Sequence, residues 1–212
     1  MVKAVLFDFW GTLVNNGTYS PIRQTFKILR LRMQFGEYVE RLERSLMTKP
    51  FKDQVEGFKA VCEEFNVEPE PEVIDRLVGV WNKNKLLASI YPETIEVLEK
   101  LKQKKLKLAI ISNTHAFSIE SVIEKFDLAK YFDVIVLSYE HGFLKTDKEL
   151  FDIVFKKLKI KPKDAVMVGD SIQTDIKGAE NAGIKPILVD RMDRREFPNK
   201  ITTLSELPEM IK

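Results

Sequence analysis

The chain has 212 residues, 34 Lys plus Arg against 32 Asp plus Glu, and a formal net charge of +2, so nothing in its electrostatics argues for a nucleic-acid partner. An apolar fraction of 44% is enough for one large domain or for a core with an insertion, and heavy use of Lys and Glu resembles heat-adapted proteins. The single Cys62 excludes an internal disulfide framework and suggests a reducing compartment, and no apolar run approaches the ~18 residues of a membrane span.

Residues 2–8 read as a short, near-continuous apolar strand of the buried parallel kind, ending in Asp8. The start of the chain lacks the charged and apolar segments of a secretory signal, so a cytoplasmic protein without a membrane segment is expected. Leu13 to Gly17 read as a loop. Ser20 then offers an N-cap and Pro21 a first helical residue. Apolar positions recur at helical spacing through Ile22, Phe26, Leu29 and Met33, and after a break at Gly36 through Tyr38, Val39, Leu42 and Leu46. Pro50 breaks the pattern again. The stripe Phe51, Val55, Phe58, Cys62 and Phe65 predicts a third helix with Cys62 in its core, and Ile74, Leu77, Val78 and Trp81 predict a fourth. Residues 15–88 are expected to form an all-helical unit.

From Tyr91 strands and helices alternate. Helices are predicted over 94–103, 116–126, 147–158 and 172–182, and strands over 106–111, 132–137, 165–169 and 184–189. That alternation predicts an α/β fold, a doubly wound parallel sheet of Rossmann-like form, built from 1–14 and 89–212 with the helical unit inserted. The charged run 190–196 reads as a solvated loop.

Four clusters carry residues suited to chemistry, and three of them sit where strands end, the position at which open α/β sheets carry their chemistry. The first is Asp8 with Gly11 and Thr12: a carboxylate nucleophile can divide one difficult displacement into two easier ones. The second is Ser112-Asn113-Thr114, where a hydroxyl and backbone N–H groups can bind an oxyanion. In the third, Lys145 follows Gly142 by three residues and offers a point charge. The fourth and most specific is Gly169-Asp170, with Asp175 five residues after Asp170 and Gly178-Ala179 and Ala182-Gly183 following. Asp8, Asp170 and Asp175 together would make an oxygen-rich pocket suited to Mg²⁺.

In order and spacing these clusters resemble the haloacid dehalogenase-like hydrolase superfamily, whose opening motif is Asp-x-Asp-Gly-Thr-Leu against Asp8-Phe9-Trp10-Gly11-Thr12-Leu13 here. The resemblance implies a helical cap over the active site at residues 15–88. It implies Asp8 as nucleophile, with Thr12, Ser112 and Lys145 in the catalytic set. Ser112, Asn113 and Lys145 would bind substrate. Mg²⁺ would be held by Asp8, Asp170, Asp175 and the backbone carbonyl of Trp10. The family pattern around the lysine has two prolines that are absent here, at Thr146 and Lys148.

The other departure is Trp10. In family phosphatases an acid at this position protonates the leaving oxygen, which a positioned acid–base makes worth roughly 10²–10⁴-fold. Indole cannot titrate near neutral pH. The first expectation is therefore a Mg²⁺-dependent phosphohydrolase with a weakened general acid, acting through an aspartyl phosphate on a small phosphorylated metabolite. A metal-free 2-haloacid dehalogenase is the alternative, because that subfamily has an aromatic residue at this position and uses a cap-side arginine, with Arg23, Arg30 and Arg32 as candidates. A low-turnover phosphate-binding protein is the third reading. His115 and His141 read as exposed turn residues; His115, beside the second cluster, is also weighed as a replacement acid.

Overall fold

The computed structural model describes residues 2–15 and 20–211; the loop residues Asn16 and Gly17 lie outside them. In chain order the elements are β1 (Ala4–Phe7), β2 (Val14–Asn15), α1 (Pro21–Ile28), α2 (Phe35–Leu46), α3 (Gln54–Glu64), α4 (Pro71–Leu86), β3 (Ser89–Ile90), α5 (Thr94–Gln103), β4 (Lys107–Ser112), α6 (Ile119–Lys125), β5 (Val134–Leu137), α7 (Ser138–His141), α8 (Lys148–Leu158), β6 (Ala165–Gly169), α9 (Lys177–Asn181), β7 (Lys185–Val189), β8 (Lys200–Ile201) and α10 (Leu207–Met210).

Six strands form one parallel sheet in the order β5-β4-β1-β6-β7-β8. Side chains alternate along each strand, and both faces are covered. Val5, Phe7, Leu108, Ile110, Val166 and Val168 pack toward α5, α6 and α10. Ala4, Leu6, Ala109, Ile111 and Met167 pack toward Leu150, Phe151 and Val154 of α8 and Ala179 of α9. Phe151 and Leu98 are fully buried, each adding roughly 1.5–3 kcal/mol over an exposed position. The chain runs outward from β1 to β4 and β5, then returns to β6 on the other side of β1. The carboxyl end of β1 is thus the switch point at which doubly wound sheets bind their ligands.

Helices α1–α4 pack around a core of their own, including Tyr38, Leu42, Phe58, Cys62, Leu77 and Trp81. As predicted, Ser20 caps α1 by accepting from the Arg23 N–H, and Pro21 opens it. Among the described residues no helix is long and apolar enough to cross a membrane.

Several expectations need correction. The residues around the helical unit are not all helix and loop. Val14 and Asn15 pair antiparallel with Ile90 and Ser89, so the two chain crossings lie side by side as a ribbon. Gly36 is no break: it lies in the first turn of α2, and the interruption is the segment 29–34, where Arg30 takes a left-handed φ of 52°. The third helix starts at Gln54, because Asp53 caps it by accepting from Glu56 N–H while the Glu56 carboxylate returns to Lys52 N–H. Phe51 therefore precedes the helix, and Val55 is 41% exposed. Residues 172–176 form a π-helical turn before α9. A sixth strand, β8, and helix α10 follow the strand expected to be last.

The charged run 190–196 is not simply solvated. Asp190 is buried and accepts from the backbone N–H groups of Arg194 and Arg195. Arg191 lies over the Tyr91 ring, pairs with Glu93 and donates to Thr12 O.

Candidate active site

Asp8, Ser112 and Asp170 stand at the ends of the three adjacent central strands, so the sheet itself brings the first, second and fourth clusters together. The reversal after Asp8 depends on Gly11, whose φ is +87° and whose N–H donates to Val14 O at 2.7 Å. A Cβ on Gly11 would stand 2.5 Å from Asp170 Oδ2. Glycine is thus required both by backbone conformation and by the approach of the fourth cluster. Gly178 serves the third cluster by close approach alone: a Cβ there would collide with the Lys145 carbonyl, so glycine lets α9 lie against the lysine loop.

Lys145 is 3% exposed, and its ammonium joins two carboxylates, reaching Asp8 Oδ1 at 2.5 Å and Asp175 Oδ1 at 2.5 Å. Thr12 Oγ1 donates to the other Asp8 oxygen at 3.2 Å. The π-helical turn gives Asp175 its place. With Asp175 and Ile176 N–H both bonded to Ser171 O, the Asp175 carboxylate folds back to accept from Ser171 N–H at 2.9 Å. Asp170 has no such partner for its carboxylate among the described residues; Arg195 donates instead to its backbone carbonyl, at 2.5 Å.

The charges explain the titration behaviour. Burial pushes the Asp8 carboxyl up to about 6, against the pull of Lys145. Asp170 is pushed up to about 8, by burial first and then by the charges of Asp8 and Asp175. Burial alone would lower Lys145, but Asp175 and Asp8 hold it above the ordinary lysine range. Three acids therefore crowd round Lys145, with the Arg195 charge opposing them only at Asp170. Ligand oxygens of Asp8, Asp170 and Asp175 lie within 4.8 Å of one another. A hard divalent cation fits this all-oxygen set and would offset the burial and repulsion that raise Asp170.

A cavity of about 890 Å³ opens above this cluster, in the range of small-molecule sites. Its floor includes Asp8, Lys145, Asp170 and Asp175, and its wall comes from the helical unit, including Phe35, Val39, Glu43 and Met47. Trp10 lines it, with its ring packed edge-on against Phe9 at 5.2 Å. Asn113 and Thr114 line it too. Ser112 is only 1% exposed, with its hydroxyl 3.5 Å from Asn113 O. Of the three arginines considered, Arg23 lines the cavity and its guanidinium lies 4.6 Å from the Phe35 ring centre; Arg30 and Arg32 do not line it.

His115 is not the exposed turn residue expected. It is 2% exposed, 4.9 Å from the Trp81 ring, and burial lowers it to about 4, with Lys85 adding to the effect. It does not line the cavity. His141 is also largely covered, at 24% side-chain exposure.

Two residues at the site escape a sequence reading. Arg195 sits in a run that reads as solvated loop. Glu43 sits on the polar side of α2 among Glu37, Glu40, Arg41 and Arg44, and nothing in spacing marks it. Its carboxylate crosses to the sheet domain and accepts from Asn113 Nδ2 at 2.8 Å. Further links hold the two units together: Arg44 grips both oxygens of Asp147 at 2.6 and 3.1 Å, and Leu144 packs into the helical core.

Known proteins resemble this chain in sequence and in fold. The family model for haloacid dehalogenase-like hydrolases matches residues 5–189. A glyceraldehyde 3-phosphate phosphatase of Methanothermobacter thermautotrophicus is 28% identical, over 90% of this chain and 86% of its own. A phosphorylated carbohydrates phosphatase of Thermotoga maritima is 29% identical, over 88% and 84%. Among solved structures, a phosphatase of the same superfamily from Thermococcus onnurineus superposes with a TM-score of 0.66 at 25% identity, covering 99% of this chain and 97% of that one. A 2-haloacid dehalogenase of Pseudomonas syringae shares the fold, with a TM-score of 0.68 at 24% identity and coverages of 99% and 97%. By the extent of the family match, this chain belongs to the haloacid dehalogenase-like hydrolases.

Proposed function

We propose that the protein is a Mg²⁺-dependent phosphohydrolase of small phosphorylated metabolites, working through an aspartyl phosphate on Asp8. The observation that carries this reading is the cluster itself: a buried carboxylate held by Lys145 and Thr12, with an unpaired acid, Asp170, beside it. Relatives named as phosphatases of glyceraldehyde 3-phosphate and of phosphorylated carbohydrates point the same way. Residues 1–14 and 89–212 would be the catalytic core, and residues 15–88 the cap that closes the cavity and selects the substrate.

Asp8 attacks phosphorus and the ester oxygen leaves; water then attacks the phosphorus of the acyl phosphate and frees Asp8. Lys145 offsets the charge of Asp8 and Asp175 and offers its ammonium to the phosphoryl oxygens. Asp175 positions Lys145. Asn113 and Thr114, with the buried Ser112 behind them, form the polar wall at the end of β4. Asp8, Asp170 and the Trp10 carbonyl would hold Mg²⁺ with Asp175 beside them, and the ion would supply charge neutralisation for the phosphoryl group. Trp10 supplies no proton, so the acid at this position of the family motif is missing.

A metal-free dehalogenase is the second reading. It is favoured by the aromatic Trp10, since a halide leaves without a proton, and by Arg23 in the cavity wall. It gives no role to the unpaired Asp170. The test is phosphate release from an activated aryl phosphate, with Mg²⁺ and with chelator, in the parent and in Asp8→Asn. Release that needs both Mg²⁺ and Asp8 is expected. Halide release from a 2-haloacid in chelator, without phosphate release, would replace this reading with the second one. Stoichiometric binding of phosphate or Mg²⁺ without turnover would leave a binding protein.

A further inference from the structure

We propose that Glu43, on the cap helix α2, is the general acid and base of this site and takes the place of the acid that Trp10 lacks. The proposal rests on the phosphohydrolase reading and deepens it. Glu43 is tied into the core rather than left in solvent. Its Oε2 accepts from Asn113 Nδ2 at 2.8 Å, and Asn113 Oδ1 accepts from the Lys145 backbone N–H at 2.8 Å. The Lys145 N–H can only donate, which fixes the Asn113 amide so that its NH₂ faces Glu43. Two hydrogen bonds thus connect Glu43 to the residue whose ammonium holds Asp8.

Position and chemistry agree. Glu43 lines the same cavity as Asp8 and Trp10, on the cap side, opposite the sheet from which Asp8 rises. In an in-line displacement the leaving oxygen points away from the nucleophile, toward that side. Burial raises the Glu43 carboxyl above its ordinary value, against the opposing effects of Asn113 and Lys145, so the proton is retained more readily than on a free glutamate. The other acid on this wall, Glu40, is exposed. Asp8 and Asp175 are engaged by Lys145, and Asp170 belongs to the cation cluster.

Protons balance over both steps. As the Asp8 oxygen bonds to phosphorus and the P–O ester bond breaks, the Glu43 carboxyl gives its proton to the leaving oxygen, releasing an alcohol and leaving a carboxylate. That carboxylate then takes a proton from water as the water oxygen bonds to phosphorus. Asp8 departs as carboxylate, phosphate is released and Glu43 is protonated again.

The test is the dependence of kcat/KM, which reports the steps through departure of the leaving group, on leaving-group acidity over substituted phenyl phosphates from para-nitrophenyl to para-methoxyphenyl. Glu43→Gln keeps an oxygen that can accept from Asn113 and has no proton to give. Its kcat/KM on the poorest leaving group is expected to fall about 10²-fold or more, and far less on para-nitrophenyl phosphate, whose phenolate leaves unaided, while kcat falls on every ester because the base of the water step is lost. Glu43→Asp keeps the acid on a shorter arm and should show the parent's shallow dependence at reduced rates. An equal loss in kcat/KM by Glu43→Gln on every ester would assign Glu43 to holding Asn113 and overturn the proposal, as would no loss at all. Absence of Asp8-dependent phosphate release in the parent, from any ester, is a separate result: it removes the phosphohydrolase reading and this inference with it.

Discussion

Replacing Lys145 with methionine keeps the length of the side chain and removes the one cation that touches Asp8 and Asp175 among the described residues. Both contacts are 2.5 Å, and the three side chains are no more than 7% exposed, so cavity water replaces the lost contacts only in part. Breaking a buried pair by deleting one partner costs about 3–5 kcal/mol. For a chain of this size each kcal/mol moves the unfolding midpoint by about 2–4 °C, so a fall on the order of 10 °C is expected. The pH dependence has a definite sign. A carboxyl held above its unfolded value contributes stability while protonated, below about pH 4, and loses it as pH rises through its folded value. Asp8 already stands at about 6 with Lys145 in place, and without it must rise further. The gap between parent and Lys145→Met should therefore widen from mildly acid to mildly alkaline pH. Thermal unfolding in chelator across that range measures it. Equal midpoints at alkaline pH, or a gap that does not change with pH, would refute the charge balance argued here.

The other predictions concern the cation cluster and its neighbours. Mg²⁺ should raise the unfolding midpoint, by about 2.7 kcal/mol of stabilisation at a hundredfold excess over Kd. The response should grow as pH rises toward the value of about 8 at which Asp170 sheds its proton. Asp170→Asn should abolish that response while raising the midpoint in chelator, because it removes a buried acid from an overcrowded site; calorimetric Mg²⁺ titration and thermal scans test both. Gly11→Ala should cost about 1–3 kcal/mol in backbone strain and weaken Mg²⁺ binding, because the new methyl meets the Asp170 carboxylate. His115→Ala should keep kcat near the parent value, since the ring packs against Trp81 outside the cavity lining; a large fall in kcat at unchanged fold would give His115 a role the geometry denies it.

The sheet and the polar residues at its strand ends were legible because buried parallel strands are unbroken apolar runs. Where Val5-Leu6-Phe7 stops at Asp8, or Val166-Met167-Val168-Gly169 at Asp170, the position of that acid follows from the fold class. The family match then confirmed the superfamily that these ends resemble. Short or boundary features were not legible. Two-residue strands such as β8 have no periodicity to read. Gly36 looked like a break because an isolated glycine is costly inside a helix, yet the first turn of α2 accommodates it. The Asp190–Glu196 run and the polar face of α2 were unreadable for one shared reason. A charged side chain that turns inward to grip a backbone carbonyl, as Arg195 does at Asp170, has the same sequence signature as one that faces solvent. Docking between the helical unit and the sheet, through Glu43, Arg44 and Leu144, is decided by tertiary geometry alone.

The central claim is that Asp8 becomes an acyl phosphate, and hydroxylamine tests it directly. Added during turnover of para-nitrophenyl phosphate with Mg²⁺, it should convert Asp8 to a hydroxamate, found by mass spectrometry on the peptide that carries residue 8 and absent when substrate is withheld. Sustained phosphate release with Asp8 unmodified, or with the hydroxamate on another carboxylate, would contradict the account.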